Sequence, residues 1–113
     1  MAKRIQRVNQ LIKKELSQIL LREVDFPKDL LVTITRVETL NDLSEARVFI
    51  SVMPESQAKR ILAILNRQIY QLQQKINKRL RMRPIPKIIF CEEKTTVEAG
   101  RIEEILEELK KEN

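Results

Sequence analysis

Six side chains on one helical period, Arg60, Arg67, Gln71, Gln74, Lys78 and Arg81, are all cationic or amide, and no carboxylate interrupts them. A face that only met water would mix both signs of charge. A face without acid is suited to a polyanion, because arginine forks onto phosphate oxygens and lysine acts as a point charge. The densest run is Lys75, Lys78, Arg79, Arg81, Arg83 and Lys87. Arg79 lies near the margin of the apolar side, where its stem also covers core. At the N-terminus, Lys3, Arg4, Arg7, Lys13 and Lys14 form a second cationic group, open to RNA contact or to plain solvation. The chemistry of this chain is therefore binding rather than bond-making.

The elements that must position these residues follow from periodicity. Ala58, Ile61, Leu62, Leu65, Ile69, Leu72, Ile76 and Leu80 recur at three and four, which predicts an amphipathic helix. At about 100° per residue the cationic set projects from the opposite side. Ile5, Val8, Ile12, Leu16 and Ile19 predict an opening helix from about Lys3 to Arg22, ended by Pro27 and its acidic neighbours. The β-branched run Leu31–Thr39 predicts a strand. Alternation of Ala46, Val48, Ile50 and Val52 with Arg47, Phe49 and Ser51 predicts its hairpin partner. Asp42 belongs to the turn between them, where aspartate bonds its own backbone. Pro54 suits the first turn of the long helix, and Pro84 and Pro86 stop it. Ile88–Cys91 predict a third strand, with Cys91 as a small buried apolar residue. Thr95 and Glu98 resemble a capping box for a last helix, apolar at Val97, Ile102, Ile105, Leu106 and Leu109 and acidic outside.

The totals set bounds. A chain of 113 residues with 42% apolar content fits one domain with a packed core. Net charge is +6, and it alternates in sign along the chain. Residues 1–22 carry net +5, 23–53 net −3, 54–90 net +8 and 91–113 net −4. Such a dipolar molecule meets a polyanion on one side. Without histidine, and with Cys91 as its one cysteine, the chain has no common zinc site, no histidine-dependent catalysis and no internal disulfide. No apolar run reaches the roughly 20 residues of a membrane span, and the N-terminus lacks a secretory pattern. A reducing cytoplasm is the expected location. No nucleophile–base set, glycine-rich phosphate loop or carboxylate dyad occurs, so no enzyme, cofactor, metal or small-molecule substrate is expected. Phe26, Phe49 and Phe90 sit in apolar contexts that suit the core, and Tyr70 is read as packing rather than as a base platform. Recognition should rest on phosphate and shape, with steep salt dependence.

The run Val37–Phe49, with Asn41, Asp42 and Ser44 at its turn, resembles the hairpin of the ribosome-binding factor A family. So do Leu80, Arg81, Met82 and Arg83 with Pro86 and Phe90, the opening Arg4, Arg7 and Val8, and the Arg101-Ile102 pair. The resemblance runs from about Arg4 to Leu109. It implies an α+β, KH-like fold of type II order: helix, strand, strand, helix, helix, strand, helix. The whole of 1–113 would be one RNA-binding domain, with 95–113 as an acidic C-terminal helix and a three-stranded sheet covered by helices. It also implies a bacterial, non-enzymatic factor for small-subunit maturation, associated with growth in the cold. Oligomeric state stays open, with a monomer expected because nothing beyond the single buried faces resembles a self-pairing seam. Its partners would be small-subunit ribosomal RNA and the free immature small subunit.

KH domains commonly carry a GxxG loop between two helices. This family has a kink with small residues instead, aligned here near Ile69 and Tyr70. Neither is small, and the lone glycine is Gly100. A mild kink or one nearly continuous helix is expected, with side chains doing the phosphate work. Glu92 and Glu93 stand where relatives commonly have aspartate. Two other readings stay open: a KH-like RNA or DNA binder with no ribosomal role, and a protein-interaction module using the acidic last helix.

Overall fold

The computed structural model describes residues 2–93. Helix α1 (Ala2–Glu23) is followed by strands β1 (Leu31–Thr39) and β2 (Glu45–Met53), helices α2 (Ala58–Arg67) and α3 (Ile69–Arg79), and strand β3 (Lys87–Glu92). The sheet order is β1-β2-β3, with β1 antiparallel and β3 parallel to β2. A parallel third strand requires a crossover, which the α2–α3 segment supplies. The expected helix over 95–113, its capping pair and the Arg101-Ile102 pair lie outside the described residues.

The helical stripes face one side of the sheet. Ile12, Leu16 and Ile19 of α1 and Ile61, Leu65, Leu72 and Ile76 of α2 and α3 are almost wholly buried. They meet Ala46, Val48, Ile50 and Val52 of β2 and Ile88 and Phe90 of β3. Each of the larger side chains contributes about 1.5–3 kcal/mol by leaving water. On β1 the alternation breaks at a bulge, where Ile34 pairs with Ile50 but Arg36 pairs with Phe49. The extra residue, Thr35, lets both Ile34 and Val37 enter the same core.

The long helix is interrupted at Gln68, one residue before the expected kink. Gln68 (φ −107°, ψ 13°) sits in the bridge region, which any L-residue reaches without glycine. Its N–H turns to Leu65 O at 3.1 Å, and Leu72 N restarts the ladder on Gln68 O at 3.0 Å. The apolar period survives the break, since Leu65 and Leu72 on either side are both buried. Pro54 does not open the helix as expected. Its extended backbone (ψ 152°) caps a 3-10 turn, Glu55–Gln57, and α2 begins after it.

Three expectations about side chains are corrected. Phe49 belongs to the outer sheet face, because the register that buries Val48 and Ile50 turns it outward; Arg36 lies 3.8 Å from its ring centroid. Cys91 shares that face and is half-buried. Tyr70 is 74% exposed on α3 rather than packed.

In the hairpin turn, Asp42 Oδ1 accepts from Ser44 N at 3.0 Å and from Ser44 Oγ at 2.7 Å. Leu43 adopts a left-handed backbone there (φ 61°). That conformation costs about 1–2 kcal/mol, which burial of the Leu43 side chain offsets. The Ser44 hydroxyl and then its N–H hold the Asp42 carboxyl below the ordinary carboxylate value. A lowered folded pKa adds stability above the unfolded pKa, and that stability is lost as pH falls through the folded one. Ser44→Ala therefore lowers the urea midpoint by a constant amount above about pH 5, and the gap from wild type closes below about pH 4. A gap that widened on acidification would contradict the assignment.

Candidate nucleic-acid interface

The turn after α3 sets the geometry of the basic region. Leu80 leaves the helix in extended conformation (ψ 139°) and stays buried, and Pro86, directly before β3, is buried too. Arg81 and Arg83 are thereby held at the helix end, and Lys87 opens β3. Arg83 Nη1 donates to Met82 O at 2.8 Å. Lys87 N donates to Ser44 O at 3.1 Å, tying the hairpin turn to the same edge.

Arg60, Arg67, Gln71, Gln74, Lys78 and Arg81 are all exposed, as the apolar period requires. Among the described residues no carboxylate comes within ion-pair distance of Arg60, Arg67, Lys78, Arg81, Arg83 or Lys87. Arg60 Nη1 donates to Gln57 Oε1 at 3.5 Å. Tyr70 is exposed on α3 one turn before Gln74.

Two members of the basic run turn the other way. Arg79 Nη1 donates to Glu15 Oε1 at 2.9 Å and to Gln18 Oε1 at 3.3 Å. Lys75 Nζ lies 3.5 Å from Glu23 Oε2. These contacts bind α3 to α1 and neutralise two α1 carboxylates. They also set the helices antiparallel, since the earlier α1 residue meets the later α3 residue. The N-terminal half of α1 thus extends beyond the C-terminal end of α3. There it carries Lys3, Arg4, Arg7 and Lys14, all exposed.

Two open clefts flank Arg83. One is lined by Gln73, Asn77, Arg83, Ile85 and Lys87, the other by Gln74, Asn77, Lys78, Leu80, Arg81 and Arg83. No carboxylate among the described residues lines either. Asn77 belongs to both clefts, and Gln73 to the first, yet neither stands out in the sequence. Their only local signal is the four-residue spacing that lets Gln73 Nε2 donate to Asn77 Oδ1 at 3.1 Å.

No helix among the described residues is long and apolar enough to cross a membrane. The surface instead offers a carboxylate-free cationic band with amides between the charges. It suits phosphate oxygens and provides no aromatic stacking row.

The family model for ribosome-binding factor A matches residues 4–106. A ribosome-binding factor A from Thermodesulfovibrio yellowstonii is 37% identical over 109 residues, covering 96% of this chain and 92% of that protein. The fold is similar to the crystal structure of ribosome-binding factor A from Thermus thermophilus, with TM-score 0.67 and 23% identity over 78% of this chain and 93% of that one. It is also similar to the Thermus thermophilus factor as fitted into the cryo-electron-microscopy map of a 30S complex. There the TM-score is 0.63 at 24% identity, covering 77% and 92% of the two chains. The three-stranded mixed sheet with helices on one face is the KH-like arrangement of these proteins. By the match along nearly its whole length, the chain belongs to the ribosome-binding factor A family.

Proposed function

We propose that this protein binds ribosomal RNA in the immature small subunit and assists its maturation without a covalent step. The observation that carries the reading is the exposed band Arg60, Arg67, Gln71, Gln74, Lys78 and Arg81, with no carboxylate among its members. Arg83, Lys87 and the α1 cations Lys3, Arg4, Arg7 and Lys14 extend it. Lys75 and Arg79 contribute to the field while bridging to α1. Family membership supports the ribosomal target, and the Thermus thermophilus relative was fitted into a 30S complex. In this reading residues 1–113 act as one domain and as a monomer in the cytoplasm.

The mechanism is differential affinity. A protein that grips one arrangement of RNA strands more tightly than another shifts the RNA toward it. Release follows when maturation removes that arrangement. No proton transfer, nucleophile or cofactor enters.

Gradient co-sedimentation with free small subunits, large subunits and joined ribosomes, at two salt concentrations, tests the proposal. Selective migration with free small subunits, weakened by salt, is the expected result. Equal binding to every particle would reduce the protein to a general polyanion binder.

A further inference from the structure

The side-chain amide of Gln73 has one possible orientation. Its Oε1 accepts from the backbone N–H of Ile88 at 2.8 Å, and only the oxygen end of an amide accepts. Its Nε2 therefore donates, to Pro86 O at 3.2 Å and to Asn77 Oδ1 at 3.1 Å. Gln73 thus grips the backbone on both sides of Lys87 and staples α3 to the start of β3.

The same bonds decide which end of Asn77 is available. With Oδ1 engaged by Gln73, the Asn77 amide is fixed, and Nδ2 donates to no acceptor among the described residues. The half-buried side chain lines both clefts beside Arg83. Its neighbours there include Lys78, Arg81, Arg83 and Lys87, which only donate. In the cleft of Gln73, Asn77, Arg83, Ile85 and Lys87, a base edge that must also donate finds both side-chain amide oxygens already engaged. A phosphate only accepts, and it matches the set.

Resting on the RNA-binding reading above, we infer that Asn77 is a phosphate-binding residue. Gln73 holds its amide with Nδ2 toward the cleft, and a phosphodiester of an RNA strand lodges between Asn77, Arg83 and Lys87. Asn77 adds a directional bond to a site whose other members supply charge. Gln73 is a positioning residue, acting through Asn77 and Lys87.

The test uses the full chain with inorganic phosphate and a short oligouridylate as probes. Side-chain amide resonances are followed by NMR, and oligouridylate affinity is measured over a salt series. The Asn77 amide signal should shift with either probe. Asn77→Leu should weaken oligouridylate binding roughly tenfold, the scale of a hydrogen bond to a charged group. It should leave the slope of log affinity against log salt unchanged, because no charge is lost. Arg83→Met should lower that slope by roughly 0.7. Gln73→Leu should also weaken binding, and the two substitutions together should cost less than the sum of their separate effects, because Gln73 acts partly through Asn77. A silent Asn77 signal, with wild-type affinity in Asn77→Leu, would overturn the inference while charge reversal at Lys78 and Arg81 still abolished binding. Wild-type binding by the charge-reversed protein would instead overturn the RNA-binding reading, and the inference with it.

Discussion

Reversing Lys78 and Arg81 together to glutamate should abolish co-sedimentation with small ribosomal subunits and leave thermal stability nearly unchanged. Both side chains are exposed, and neither has a carboxylate partner among the described residues. Neither belongs to the core, so the substitutions fall in the surface class that shifts stability by roughly 0.5 kcal/mol or less. Two lost charge-assisted phosphate contacts cost on the order of a hundredfold in affinity or more, before the added repulsion is counted. The salt slope should fall by about 1.4 to 1.8 for the same two contacts. Sedimentation with small subunits, alongside a thermal melt, reads both quantities. Unaltered binding would place the main contact elsewhere.

A large loss of stability should come from separating Arg36 and Glu93. Glu93 is the residue after β3, and its N–H continues the ladder to Ile50 O at 2.8 Å. Its side chain is 3% exposed and reaches across β2 to the β1 bulge. There Glu93 Oε2 accepts from Arg36 Nε at 2.8 Å and from Thr35 Oγ1 at 2.9 Å. Arg36 also bonds Glu38 and covers the Phe49 ring. A carboxylate this buried depends on its cation, and breaking such a pair costs about 3–5 kcal/mol. Arg36 is 35% exposed, so solvent relieves part of the cost. Arg36→Met should therefore destabilise by about 2–3 kcal/mol in urea unfolding. Combining it with Glu93→Leu should recover part of that loss, because an apolar pair replaces a desolvated ionic one. Strict additivity of the two substitutions would show that they do not act as a unit.

These two sites differ in how far the sequence discloses them. The cationic band is legible because a 3.6-residue period sorts exposed from buried positions without knowledge of neighbours. The strands are legible for a related reason: β2 alternates cleanly from Ala46 to Val52 and buries that set. β1 does not alternate, since the bulge at Thr35 shifts its phase midway. For that reason the Glu93 link to β1 cannot be read from the sequence, whereas the outward turn of Phe49 follows from the alternation of β2 itself. Lys75 and Arg79 look like their neighbours in the basic run. Their partners, Glu23 and Glu15, stand more than fifty residues earlier and meet them only when α1 packs antiparallel to α3. Asn77 is hidden in the same way, because the backbone that orients Gln73 arrives with β3. The break at Gln68 has neither glycine nor proline to announce it.

The central claim is that the outer face of α2 and α3 touches small-subunit RNA. A photoreactive side chain at Gln71, with a control at Leu21 on the exposed side of α1, tests it most directly. After irradiation in the presence of free small subunits, the Gln71 position should crosslink to ribosomal RNA and the Leu21 position should not. RNA crosslinks from Leu21 alone, or crosslinks from Gln71 to protein only, would contradict the account.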